Sequence, residues 1–247
     1  SLFGPAANNT LWAGFGGACQ TQNAGDPVVL YDQLADRWLL TQFTSAGPPP
    51  FHECIALSQT NDPTGPYYRW DIETGPGLNG NNFPDYPKAG MWPDAYYFST
   101  REFVGGSGGP FAGVGAYALD RVQALAGNPN PTMVGFIMPP SPAYVVGDGL
   151  LPSDLDGQAT PPPGSPNYFM GTQDTNAGAP QDAINLFKFH YDPTTPANST
   201  FSLTNTIPTD PFNSIFTPCG GGRNCIPQPG TANRIDFLQR QRPLFRL

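Results

Sequence analysis

Two segments of this 247-residue chain follow one plan. The apolar run Cys54-Ile55-Ala56-Leu57 leads into Asp62-Pro63-Thr64-Gly65-Pro66-Tyr67. The run Ile184-Asn185-Leu186-Phe187-Lys188-Phe189 leads into Asp192-Pro193-Thr194-Thr195-Pro196. A third run, Val114-Gly115-Ala116-Tyr117-Ala118-Leu119-Asp120, lies between them without the Asp-Pro-Thr. Branched and aromatic side chains suit a pleated surface, and Asp and Pro favour turns, so each segment reads as a strand running into a turn. The spacing is roughly 60–70 residues, within reach of the 40–50-residue period of propeller blades once long loops are added. The pattern predicts an all-β chain: a β-propeller, or a propeller segment, of four-stranded antiparallel blades joined by Pro/Gly-rich loops.

The strand signals place the blades at about 25–75, 84–140 and 165–207 within a single domain. A short helical turn is expected near residues 121–126. Residues 139–166, with Pro161-Pro162-Pro163, read as a long surface loop. Residues 208–247 read as the start of a further blade or a partner-binding tail. Propellers close with four to eight blades, and three leave strand edges open. A second polypeptide completing the ring is therefore expected, either a separate chain or the downstream part of the same precursor.

Pro and Gly supply 31 and 29 residues, which alone would suggest disorder. The 13% of aromatic residues, gathered in short apolar runs, argues for a packed core instead. The net charge is −8 and no basic stripe crosses the body, which excludes nucleic acid as a partner. Arg223, Arg234, Arg240, Arg242 and Arg246 crowd the end of the sequence, as a solvated extension or as a basic tail for an acidic surface. No apolar run reaches the ~18 residues of a membrane-spanning helix.

Four cysteines allow three pairings. Cys219 and Cys225 bracket a Gly-rich loop that closes into a small ring, and Cys19 then pairs with Cys54 across neighbouring strands. The disulfides, the scarcity of lysine and the sequons at Asn8 and Asn198 together point to an extracellular, secreted protein.

The run Gly25-Asp26-Pro27-Val28-Val29-Leu30-Tyr31-Asp32, followed by Asp36-Arg37-Trp38-Leu39-Leu40, carries a resemblance. So do Asn82-Phe83-Pro84-Asp85-Tyr86-Pro87-Lys88 and Trp92-Pro93-Asp94-Ala95-Tyr96-Tyr97. From about Leu11 onward the chain resembles a group of large secreted bacterial proteins of unassigned activity, which are similar in architecture to sialidase-like and glycosidase-like propellers. The resemblance brings no catalytic residues with it.

Candidate chemistry is sparse. Asp26, Glu53 and Asp94 stand near strand starts, where propeller glycosidases gather an acid and a base around the axis. Asp26 and Asp85 read equally as turn residues. Trp92, Asp94, Tyr96 and Tyr97 place a carboxylate among three aromatics, a set that could stack on and hydrogen-bond a sugar, or simply pack. Asp148, Asp154 and Asp156 form an acidic loop that could take calcium; no other cofactor is implied. His52 and His190 lack a nucleophile motif. The expected function is a secreted module that binds glycan or a protein partner in a structural or assembly role. The alternative is a carbohydrate-active enzyme using an Asp/Glu pair in the axial pocket.

Overall fold

The computed structural model describes residues 4–45, 47–75, 77–141, 149–157, 159–213 and 224–236. The chain is all-β, with 49% strand and 10% helix. Three four-stranded antiparallel sheets follow one another. The first holds β1 (Gly25–Asp32), β2 (Arg37–Phe43), β3 (Phe51–Ser58) and β4 (Tyr67–Thr74). The second holds β5 (Asn82–Met91), β6 (Ala95–Val104), β7 (Phe111–Asp120) and β8 (Met133–Met138). The third holds β9 (Leu151–Pro152), β10 (Asn167–Gln173), β11 (Ala183–His190) and β12 (Thr200–Pro208). A separate hairpin, β13 (Asn224–Gln228) and β14 (Thr231–Asp236), follows. Among the described residues no closed barrel or ring is formed.

Each sheet is a meander in chain order, and its third strand is one of the three apolar runs named above. Antiparallel strands joined by short connections need only local turns, and Asp side chains supply several of them. Asp62 accepts from the Thr64 amide at 2.8 Å and Asp192 from those of Thr194 and Thr195 at 2.9 and 2.8 Å. In the second sheet Asp120 accepts from the Gln123 amide at 2.8 Å and so caps α2 (Arg121–Leu125).

The sheets stack through their apolar faces. Leu30, Leu39, Ile55, Leu57 and Trp70 of the first sheet share one core with Tyr96, Phe98, Tyr117 and Leu119 of the second. Phe169, Phe187 and Phe189 of the third join the same core, with Tyr97 edge-on to Phe189 at 5.1 Å. The first strands of successive sheets lie side by side, β1 against β5 and β5 against β9. Gly90 permits the second approach: a Cβ there would stand 2.3 Å from the Ser153 carbonyl oxygen.

The sheets also run the same way. Asp32, at the end of β1, is fully buried and accepts from the Tyr96 hydroxyl at 2.6 Å and from Arg121 at 2.6 and 3.0 Å. At the opposite strand ends Phe43 and Phe51 pack on Phe83. The end of β5 meets the third sheet, where the Met91 amide donates to Asp154 at 2.9 Å. The array thus has two rims: one with Asp32, Asp94 and His190, the other with Gly25, Asn82 and Glu102.

Four details differ from the sequence reading. Residues 139–166 are not all loop, since β9 pairs with β10 there. β5 (Asn82–Met91) runs through Pro84 and Pro87, which sequence rules demote from strands; Pro84 stays in register opposite Glu102, and Pro87 falls in a bulge between Asp85 and Lys88. Helix is not confined to α2: α1 (Gly17–Thr21) and the 3-10 turn Asn8–Trp12 lie over the first sheet, with Trp12 buried against it. Cys19 of α1 is disulfide-bonded to Cys54 of β3 as expected, although the bond ties a helix to a strand rather than two strands. The Cys219–Cys225 pairing, Asp148 and Arg240, Arg242 and Arg246 lie outside the described residues.

Candidate functional site

The turn between β5 and β6 carries Trp92, Pro93 and Asp94; β11 ends at His190, and the turn after it begins with Tyr191, Asp192 and Pro193. Both lie on the same rim because the second and third sheets run the same way. Together with Pro161-Pro162-Pro163 they line a groove of about 360 Å³. That volume lies at the lower end of small-ligand sites.

The walls are stiff. Five prolines line the groove, and each fixes its own φ. Trp92 is 2% exposed and donates its indole N–H to the Ser165 carbonyl at 3.0 Å. Tyr191 is 3% exposed and donates to Asp120 at 2.9 Å, which ties the third sheet to the second. These aromatics therefore form the floor rather than open stacking platforms.

Two carboxyl groups of unlike environment share the groove. Burial raises the Asp94 carboxyl above the ordinary value, while the Tyr97 hydroxyl, the amides of Asp94 and Ala95 and the nearby His190 pull it down. Its Oδ2 accepts from the Tyr97 hydroxyl at 3.1 Å. Asp192 is held below the ordinary value, first by the Thr195 amide and also by the Thr194 amide, Asn198 and His190. His190 is exposed and its field reaches both carboxyl groups. The arrangement offers hydrogen-bond acceptors, one imidazole and apolar walls, a set suited to hydroxyl groups borne on a carbon frame.

The other expected residues fall elsewhere. Tyr96 and Tyr97 are fully buried, their hydroxyls committed to Asp32 and Asp94. Burial raises both phenols, so neither ionises near neutral pH. Glu53 lies towards the opposite rim and lines a different cavity from Asp94. Asp26 sits at φ 41° in a bulge of β1, with its charge felt by Glu53. His52 pairs with Asp71 at 2.5 Å across β3 and β4. Asp154 is occupied with the Met91 amide, and among the described residues no three His, Cys, Asp or Glu gather as a metal site. Asn8 is half-buried in its 3-10 turn; Asn198 is exposed, with its amide nitrogen 3.5 Å from Asp192.

The sequence singles out Trp92 and Asp94, whereas His190 stands there as a histidine without a nucleophile motif and Asp192 as a turn residue. The signal that joins them is the shared strand direction of two sheets, which a single sequence does not display. No protein-family model, curated protein or solved structure matches the chain.

Proposed function

We propose that the chain is part of a secreted β-propeller and acts as a binding module, with one residue of a glycan seated in the groove between the second and third sheets. The observation that carries this reading is the groove itself. It is stiff-walled, so little ordering cost falls on binding. Asp94, Asp192 and His190 supply hydroxyl partners, and the proline rings supply apolar contact for the sugar carbons. A second polypeptide supplies further sheets in this proposal. The outward face of the third sheet supports it, since Tyr168, Met170, Ile184 and Leu186 are only half-buried. The β13–β14 hairpin supports it too, with Ile235 49% exposed among the described residues.

A panel of immobilised oligosaccharides, probed with the whole chain, tests the glycan reading. Binding to a subset, weakened about tenfold by Asp192→Asn (about 1.4 kcal/mol), is expected. Binding unaffected by Asp192→Asn, or none across the panel, would count against it.

A second reading, glycoside hydrolysis, is favoured by one observation. Asp94 is pushed up and Asp192 down within one groove, the disposition of an acid and its partner base. Release of new reducing ends from a bound oligosaccharide, abolished by Asp94→Asn, would support it. Binding without turnover leaves the module reading alone.

A further inference from the structure

Away from the groove, at the junction of the first and second sheets, two glutamates are buried, and among the described residues no cation pairs with either. Glu53 of β3 is 8% exposed, and neither of its oxygens has a hydrogen bond of good geometry. The Thr41 hydroxyl beside it is buried and also lacks a partner. Glu102 of β6 is fully buried and better served. It accepts from the Thr100 hydroxyl, from the Tyr117 hydroxyl at 2.5 Å and from the Asn79 side chain at 3.0 Å.

The charges whose fields reach Glu53 are those of Glu102 and of Asp26 on β1, both acidic. Arg101 neighbours Glu102 but takes the other face of β6, over Phe103 and Phe111. On β5, Lys88 lies over the Tyr86 ring at 3.8 Å, beside Asp85 in the bulge. His52, Asp71 and Glu73 stand on the opposite face of the first sheet. The cavity against Glu53 is walled by Ile72, Leu78, Phe98 and Met133 and holds about 20 Å³, room for roughly one water and far from a hydration shell.

An ionised carboxylate in such a place is costly, and two acidic neighbours raise the cost. A proton removes that cost and lets Glu53 donate to the Thr41 hydroxyl beside it as well as accept from it. We propose that Glu53 and Glu102 form a proton-binding site between the first and second sheets, and that the protons held there lock the two sheets together in acidic solution and are released as the pH rises through neutral.

The physical tendencies agree. Burial, then the Glu102 and Asp26 charges, push Glu53 from 4.5 up to about 8 against the pull of Thr41. Burial likewise pushes Glu102 up to about 7 against its three donors. Both folded values lie above the unfolded one, so this contribution to stability is complete below about pH 4.5. It declines as pH rises through the folded values, as the unfolded chain gives up protons that the folded one keeps.

The chain contains three glutamates, Glu53, Glu73 and Glu102, so carbon-13 labelling of the glutamate carboxyl gives three signals with the exposed Glu73 as reference. In the whole chain, two signals should remain in the protonated position at about pH 6 and shift together through neutral pH. In Glu53→Gln the remaining buried signal should titrate at lower pH, because an acidic neighbour has gone, and the fall in thermal midpoint from acid to alkaline solution should shrink. If Glu53→Gln does not fold, Glu102→Gln must shift the Glu53 step in the same direction. Three signals that all ionise in the ordinary carboxylate range, or a buried step indifferent to loss of its partner, would overturn the proposal.

Discussion

At the scale of the residue, Asp32 shows most clearly how this chain assigns its charges. It receives five hydrogen bonds: from the amides of Leu34 and Ala35, from Tyr96 and twice from Arg121. Arg121 is itself largely buried, with 11% of its side chain exposed. A buried pair of this kind adds little relative to an apolar replacement, yet breaking it from one side strands the other charge. Asp32→Ala should therefore cost about 3–5 kcal/mol in chemical denaturation, far more than a surface substitution. A loss below about 1 kcal/mol would mean that water already screens the pair. In the sequence Asp32 stands out only as the last residue of the run from Gly25 that carries the resemblance. Its partners lie 64 and 89 residues away, and nothing local to residues 30–35 announces them.

At the scale of the element, most of the strands were legible because their alternation is clean. In β10, residues point by turns into the core and outward, and β11 does the same. What escaped were elements held by tertiary contacts rather than by local pattern. β9 is two residues long, and α1 is a single turn anchored by Cys19. Removing that anchor with Cys19→Ser and Cys54→Ser together opens a link between positions 35 residues apart. The chain-entropy estimate for such a loop is about 4 kcal/mol, and thermal unfolding with and without reductant measures it. The same pair should speed hydrogen exchange at Trp12 and in α1 before it affects β6.

Gly90 makes a second test at this scale. Its added Cβ would meet backbone rather than a side chain that could swing aside, so relief requires the second and third sheets to part. Gly90→Ala should cost about 1–3 kcal/mol, with faster exchange in β9 and β10. Equal exchange rates in both forms would show that β5 and β9 are not packed as closely as described.

At the scale of the whole molecule, three meanders with their first strands side by side bring their turns together on one rim. Gln33, in the β1–β2 turn, donates to the Leu155 carbonyl at 2.6 Å and accepts from the Gly157 amide at 3.0 Å. Thus all three sheets contribute to that rim, and the groove is a product of the array rather than of any one motif. This explains why half of the candidate site could be read from sequence. Trp92 and Asp94 form one compact aromatic-acidic cluster. His190 and Asp192 gain their position from contacts between sheets, the packing of Phe169 and Phe189 against Tyr97 and the bond from Tyr191 to Asp120.

The most direct test of the binding groove is hydrogen exchange on the intact chain, with and without a saturating oligosaccharide drawn from the binding panel. Peptides covering residues 91–95, 160–166 and 190–195 should gain protection together, while the Glu53 and Glu102 rim stays unchanged. Protection confined to the opposite rim, or to the β13–β14 hairpin, would contradict the placement of the ligand between the second and third sheets.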